Sequence, residues 1–366
     1  MNQVAFFYAT FPRPTETFVR RELRAFAQIG FDPDLYSIWK GRSEWEGKKI
    51  LKFQFFRLLY LFFWIPYWAW LKPQVFKEIL VELWAKPCPN LQNWNETFLA
   101  LGFALVEAHN FKNKKYSLLH GIWATMPATA ALALSKLTNT PFSMGAHAYD
   151  VFRTGGDWLL QHKFENALFI RTSSQSTARR IEQLGVPMKK IKLIRRGLAN
   201  WPVRSNFELV NESRLELLSV GRLVEKKGYI YQLKIAVELL LRAVPFRLQI
   251  IGSGPLEKFL VKETNRLGIA DHVLFVGSKS QKETRKVFLE SDIFLFTGVV
   301  AKNGDRDGIP NVIPEAMSTG CLILASCNAG ASEAFIEDVS GFSLNPKDTK
   351  NWTSLLEEFW EEPGSF

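Results

Sequence analysis

Asp307 and Glu315 bracket the segment Asp307-Gly308-Ile309-Pro310-Asn311-Val312-Ile313-Pro314-Glu315, whose residue types suit a phosphate-bearing ligand. Gly308 lets the backbone approach a ligand closely. Pro310 suits the first turn of a helix, because the amide it lacks would have no partner there. A helix start leaves N–H groups pointing outward, and these favour phosphate. The spacing predicts Asp307 in a loop and Glu315 about a turn inside the helix. A plain loop–helix–strand unit with two surface acids has the same pattern, so partners must come from elsewhere in the chain.

Three other stretches offer them. Gly221-Arg222-Leu223-Val224-Glu225-Lys226-Lys227-Gly228 follows the expected strand Leu215–Val220. Arg222 brings a planar fork and Lys227 a point charge, and both suit a diphosphate. Gly221 and Gly228 give the backbone room. Ile251-Gly252-Ser253-Gly254 reads as a tight strand-to-helix turn near a nucleotide, since a lone G-x-G is weak evidence for a dinucleotide loop. Gly145-Ala146-His147-Ala148-Tyr149-Asp150 ends an apolar run. A neutral imidazole at His147 suits a sugar hydroxyl, with a core histidine as the plain alternative. His120 is similarly placed in a weaker context. His109, His162 and His272 belong to no constellation. No metalloprotease helix, Cys/His cluster or Walker loop occurs.

Alternating strand and helix patterns must position these residues. Val4–Tyr8 and Leu35–Ile38 read as strands around a helix over Phe18–Ile29, with Phe18, Leu23, Phe26 and Ile29 along one face. Thr15 or Thr17 caps it after the proline-bearing loop Phe11–Thr17. Leu118–Gly121, Pro141–Gly145, Ala167–Ile170 and Ile191–Ile194 continue the strands, with a helix over Pro127–Leu137. Periodicity lapses over 201–211, which reads as a linker. Strands then return at Leu215–Val220, Phe246–Ile251, Val273–Val276, Ile293–Thr297, Leu322–Ala325 and Gly341–Leu344, with a helix over Lys282–Glu290. This is an α/β chain of two doubly wound, Rossmann-like domains, 1–200 and 212–366, facing a central cleft. Ligands of such sheets bind beyond the carboxyl ends of the strands.

Composition is that of a folded chain: 47% apolar and 22% charged residues. Residues 1–200 hold 27 Lys+Arg against 14 Asp+Glu, a balance of +13, while 201–366 hold 19 against 22, a balance of −3. The first half therefore meets something anionic, nucleic acid or lipid phosphate. Within 51–71, Leu58 to Leu71 carries no charge, is broken by Pro66, and is flanked by Lys52, Arg57 and Lys72. It is shorter than the roughly 20 apolar residues of a spanning helix. Its Trp and Tyr content suits the headgroup level, so an interfacial patch is favoured over a greasy hairpin packed on the domain. Cys88, Cys321 and Cys327 form no disulfide framework, and Met1–Tyr8 lacks a signal-peptide pattern; a reducing cytoplasm is expected.

Together these motifs resemble glycosyltransferase family 4, of GT-B architecture, over nearly the whole chain. Val220–Gly228 is similar to the family's phosphate-contacting loop, Asp307 to Glu315 to its E-x7-E motif, and Gly145–Asp150 to its active-site histidine segment. Phe11-Pro12-Arg13-Pro14-Thr15-Glu16-Thr17-Phe18 and His120-Gly121 with Pro127-Ala128-Thr129 resemble the exopolysaccharide, colanic-acid-type branch. The resemblance implies a retaining transferase that uses a UDP- or GDP-linked sugar and requires neither metal nor cofactor. It implies diphosphate contacts from Arg222 and Lys227 and catalytic contacts from His147 and Asp307. Glu315 would hold the ribose, and Gly221, Gly252, Gly308, Ile309, Pro310 and Asn311 would line the nucleotide sugar. Arg13, Thr15, Glu16, Thr17, His120 and Asp150 would face a lipid-linked saccharide acceptor in the basic first half. The enzyme would work at the anionic inner face of a membrane, with no nucleic-acid partner.

Three positions depart from the family pattern. Asp307 is one methylene shorter than the usual Glu. Arg195-Arg196-Gly197-Leu198 stands where relatives carry His-Asn-Gly or His-Cys-Gly. The helix that returns to the first domain in relatives does not follow Trp352–Trp360 in this sequence. A sugar-nucleotide epimerase or phosphorylase of the same fold, and an inactive scaffold, are the alternative functions.

Overall fold

The computed structural model describes residues 3–13, 16–154, 156–198, 204, 209–328 and 330–363, in two units, Met1–Arg195 and Arg196–Phe366.

Apolar runs become buried parallel strands in the first unit. The strands of this unit are β1 (Val4–Phe11), β2 (Asp34–Gly41), β3 (Glu44–Trp45), β4 (Lys48–Lys52), β5 (Leu118–Gly121), β6 (Phe142–Gly145), β7 (Ile170–Thr172) and β8 (Ile191–Leu193). Among the described residues they pair in the order β3-β4-β2-β1-β5-β6-β7-β8. All neighbours are parallel except β3 and β4, an antiparallel hairpin. Glu46 and Gly47 at its tip both have positive φ, 50° and 78°, as a tight hairpin turn requires. The helices are α1 (Thr17–Gln28), α2 (Leu61–Leu71), α3 (Pro73–Ala85), α4 (Leu91–Lys114), α5 (Met126–Thr138), α6 (Tyr149–Phe152), α7 (Leu160–Asn166) and α8 (Gln175–Gln183). The small side chains of α5 let it pack closely against α4, and both contribute to the main core of this unit. Asn90 caps α4 by accepting from the Asn93 amide at 3.0 Å.

Two sequence expectations change here. Helix α1 buries Val19 and Leu23, and Ile29, its C-cap, is 76% exposed rather than on the inner face. The stretch 51–71 is not one apolar insertion: its first two residues end β4, a 3-10 turn covers Phe55–Tyr60, and α2 follows with Pro66 inside it. The 11 residues of α2 reach only about 16 Å, against about 30 Å of bilayer hydrocarbon. Among the described residues no helix is long and apolar enough to cross a membrane.

The second unit holds β9 (Leu215–Val220), β10 (Phe246–Ile251), β11 (Val273–Phe275), β12 (Ile293–Phe296), β13 (Leu322–Ser326) and β14 (Phe342–Leu344). All are parallel, in the order β11-β10-β9-β12-β13-β14. Its helices are α9 (Tyr229–Leu241), α10 (Glu257–Arg266), α11 (Gln281–Leu289), α12 (Val312–Ser318) and α13 (Thr349–Glu361). A capping box between Ser280 and Glu283 starts α11. Trp352 anchors α13, with its indole N–H donating to the Asn345 carbonyl at 2.9 Å. Most of the expected linker 201–211 lies outside the described residues. Its described parts are tied to the second unit: Arg204 donates to the Ser291 carbonyl at 3.1 Å, and the Val210 amide to Asp292 at 2.8 Å.

Strand order reverses beside the first strand of each sheet. In the second unit the reversal sets the loop after β9 next to the loop after β12. In the first it sets the loop after β1 next to the loop after β5. Such reversals open a crevice at the carboxyl edge of a parallel sheet.

Candidate functional site

At the carboxyl edge of the second sheet the chain turns sharply after β9, through a 3-10 turn over Glu225–Lys227. Gly228 ends the turn at φ 68°, where a Cβ would stand 1.9 Å from the Thr297 carbonyl. Only glycine lets the loops after β9 and β12 meet so closely. Gly252 does the same for the neighbouring loop: a Cβ there would stand 1.9 Å from the Gly221 carbonyl. The Leu223 amide then donates to the Ser253 carbonyl at 3.0 Å. Gly252 thus binds loop to loop in this structure.

The turn carries two lysines with different surroundings. Lys226 is 6% exposed, and its ammonium lies 3.0 Å from Asp305 and 3.2 Å from Oδ1 of Asp307. Lys227 lies 2.8 Å from Oδ2 of Asp307 and 5.2 Å from the centre of the Phe296 ring. Arg222 is exposed at the same edge. Burial alone would raise the Asp307 pKa, but the charges of Lys227 and Lys226 and their hydrogen bonds outweigh it and hold it down to about 2. Burial alone would lower the Lys226 pKa, but Asp307 and Asp305 outweigh that and hold it above the ordinary lysine value. Asp307 and Lys226 are therefore both charged at neutral pH. Main-chain ties hold the two loops together as well: the Val299 amide donates to the Lys226 carbonyl at 2.9 Å, and the Lys302 amide to Glu225 at 3.1 Å.

The segment 307–315 follows the expected order of loop and helix, with one correction. Helix α12 begins at Val312 and spans 7 residues, so Pro310 lies ahead of it. The proline inside its first turn is Pro314, where a missing amide likewise costs nothing. Gly308 and Pro310 are buried, Ile309 is half-buried, and Asn311 takes the N-cap position without a side-chain cap. The Asn311 side-chain oxygen instead accepts from Arg196 at 3.2 Å. Glu315 is buried in the first turn of α12.

In the first unit, His147 follows β6 and is buried. A Cβ on Gly145 would lie 2.8 Å from its Nε2, and Trp123 meets its ring edge-on at 5.2 Å. Trp123, from the loop after β5, also packs on Tyr149 of α6 and on Phe18 of α1, so one indole joins the loop after β6 to two helices. Asp150 holds main chain in this structure. It is fully buried, and its carboxylate accepts from the main-chain amides of His147 (3.1 Å), Ala148 (2.7 Å) and Ala124 (3.3 Å). Burial raises its pKa against the pull of those amides. The Ala124 carbonyl accepts from Lys163, a wholly buried lysine also paired with Asp157 and bonded to Thr129 at 3.1 Å. Asp150 and Lys163 thus grip the Ala124 peptide from its two sides.

His120 is buried as well. Its ring is buried against Phe6 and Phe169, and Nδ1 lies 2.7 Å from the Ser143 hydroxyl. Burial, helped by the Arg171 charge, drops its pKa to about 3, so it is a neutral core residue. Arg13 is exposed and pairs with Glu16 at 3.6 Å. Thr17 is the first residue of α1 and Glu16 its N-cap, without a side-chain cap. Thr15 lies outside the described residues. Among those residues no cluster of three or more His, Cys, Asp or Glu is placed to hold a metal ion.

Lys226, Trp123 and Lys163 are the residues that sequence reading missed. Nothing local distinguishes them, because their partners come from other loops.

Residues 204–365 match the family model described as Glycosyl transferases group 1. The chain is 24% identical over 380 residues to the putative colanic acid biosynthesis glycosyltransferase WcaL of Escherichia coli (strain K12), covering 98% of this chain and 90% of that protein. It is 33% identical over 175 residues to the amylovoran biosynthesis glycosyltransferase AmsK of Erwinia amylovora, covering 47% and 42%. Among solved structures the fold is similar to that of Anabaena Alr3699/HepE in complex with UDP, with TM-score 0.67 and 16% identity, covering 100% of this chain and 91% of that one.

Proposed function

Given a Glycosyl transferases group 1 domain over residues 204–365 and two Rossmann-like units of the GT-B class, this chain is a glycosyltransferase, and we propose that it moves a sugar from a UDP- or GDP-linked donor to a lipid-linked saccharide during surface polysaccharide assembly. The observation that carries this reading is the charged edge of the second sheet, where Lys227 stands beside exposed Arg222 and against Asp307. Arg222 and Lys227 receive the diphosphate. They stabilise the negative charge that grows on it as the sugar–phosphate bond breaks, and such fixed charges contribute most in a site sheltered from water. An acceptor hydroxyl forms the new bond to the sugar carbon with retention, and its proton passes to the departing diphosphate. Asp307 orients the donor sugar, Glu315 the ribose, and His147 touches the sugar near the reacting carbon. Relatives named for colanic acid and amylovoran biosynthesis favour a polysaccharide product.

The first unit supports work at an anionic membrane surface. Phe62 is 82% exposed, Trp70 80% and Trp84 87%, and Phe56, Leu59, Phe63, Leu80 and Val81 are exposed beside them in sequence. Exposed apolar residues this dense mark an interaction site. Each large side chain moved out of water contributes about 1.5–3 kcal/mol. Lys52, Arg57, Lys72, Lys77 and Lys86 supply the positive flank.

The reading is tested by thermal shift with UDP, GDP, ADP and their sugars. One nucleotide class should raise the melting temperature of the wild type, since ligand that binds only the folded state stabilises it. Lys227→Ala should fold normally, lose that shift and lose transfer. Full transfer by Lys227→Ala would overturn the diphosphate assignment.

A further inference from the structure

We propose that Lys226 is a positioning residue for sugar transfer: it keeps the Asp307 carboxylate in place when Lys227 turns to the donor diphosphate. This rests on the reading that the loop after β9 binds a nucleotide diphosphate sugar. The observation is the division of one carboxylate between two adjacent lysines. Lys226 takes Oδ1 at 3.2 Å and Lys227 takes Oδ2 at 2.8 Å.

The two lysines are not equivalent. Lys226 is buried and has a second anion, Asp305, at 3.0 Å. Its main chain is stitched to the far loop through the Val299 amide. Lys227 pairs with Asp307, its stem runs along Gly221, and its ammonium lies over the Phe296 ring at the loop's edge. An arriving diphosphate therefore draws on Lys227, while Lys226 stays where it is.

That division matters once the donor is bound. With Lys227 on the phosphates, Asp307 would face a diphosphate with no counter-charge, and an unpaired charge in a sheltered site is costly. Lys226 removes that cost and fixes the carboxylate's direction. The need is greater with Asp at 307, because a shorter side chain has less reach with which to correct a misplaced loop. Asp305 completes the arrangement: two lysines and two aspartates balance, and the other three groups, buried Lys226 with Asp305 and Asp307, stay together when Lys227 turns away.

The test compares wild type, Lys226→Met and Lys226→Arg in two assays. One is calorimetric binding of UDP, GDP and ADP. The other is release of nucleoside diphosphate from the sugar nucleotide that wild type binds best among UDP-glucose, UDP-galactose, GDP-mannose and ADP-glucose, with water as acceptor. In Lys226→Met, kcat should fall about 100-fold while nucleotide Kd changes by less than about tenfold, because the loss falls on orientation rather than on phosphate binding. Lys226→Arg should recover most of the lost kcat. If Lys226→Met does not fold, Lys226→Met with Asp305→Asn removes the stranded charge and is held to the same expectation. An unchanged kcat overturns the proposal. So does a Kd that weakens as much as kcat falls, which would make Lys226 a phosphate ligand. Failure of wild type to bind any of the nucleotides overturns the donor reading itself.

Discussion

Lys227 lies 2.8 Å from Asp307, so two groups expected on different parts of a donor are joined to each other. The donor must part them or share them. A free nucleoside diphosphate competes with Asp307 for Lys227 and gains no sugar contact in return. Asp307→Asn should therefore tighten UDP or GDP binding by about tenfold, or about 1.4 kcal/mol, while sugar transfer slows. Calorimetry reads the first effect and product release the second. Weaker binding in Asp307→Asn would show that the carboxylate assists the diphosphate rather than competing with it.

His120 gives the first unit an acid-sensitive core. The unfolded chain takes up a proton below its ordinary value of 6.5, whereas the folded ring resists until about 3. The unfolded state binds more protons throughout that window, so stability falls as pH drops from 6.5 towards 3. The full slope is about 1.4 kcal/mol per pH unit. His120→Gln removes the titration. Urea unfolding at pH 7 and pH 5 should show a loss in wild type that exceeds the loss in His120→Gln by roughly 2 kcal/mol. Equal losses would mean that the ring is hydrated in the folded state.

His120 also shows what sequence reading reaches and where it stops. The β9 strand Leu215–Val220 was legible because a strand buried on both faces is mostly apolar, here with Glu216 and Ser219 as its polar members. His120 belongs to such a strand, and type and position alone made it look chemical; only the Phe6 and Phe169 rings around it show it to be core. Helix α1 was legible as a helix, yet its buried face was misjudged, since Ile29 proved to be the cap and Val19 an inward residue. The β3–β4 hairpin went unseen because its strands are short and charged. Lys226 was hidden for a different reason. A Lys-Lys pair reads as a solvated turn until β12 is set beside β9, which brings Asp305 and Asp307 from some eighty residues away.

The aromatic stretch divides into residues that face water and residues that do not. Trp68 is 1% exposed and donates to the Leu105 carbonyl at 3.0 Å, and Trp64 stacks on it. Phe62, Trp70 and Trp84 face outward. Replacing those three with Ser should leave the urea midpoint nearly unchanged and release the protein from phosphatidylglycerol-containing vesicles in flotation. Trp68→Ser should instead cost about 3–5 kcal/mol, the range for emptying a large buried aromatic site. Retention of the triple variant on vesicles would assign this face to another partner, such as a second copy of the chain.

Lys163 tests whether the first unit's loops act on chemistry from within the core. It is wholly buried, with Asp157 as its charge partner, and the Ala124 carbonyl depends on it for a donor. Lys163→Met strands the Asp157 charge and should cost about 3–5 kcal/mol; adding Asp157→Asn should restore much of that, since the uncompensated ion is the larger part of the penalty. The double variant still lacks the bond to Ala124, whose amide is held by the same Asp150 that holds the His147 amide. Its transfer rate should therefore stay reduced after stability returns, while nucleotide affinity, which the proposed donor site in the second unit would set, stays near wild type. A double variant with full transfer would reduce Lys163 to a packing residue and leave Asp150 alone in charge of the His147 loop.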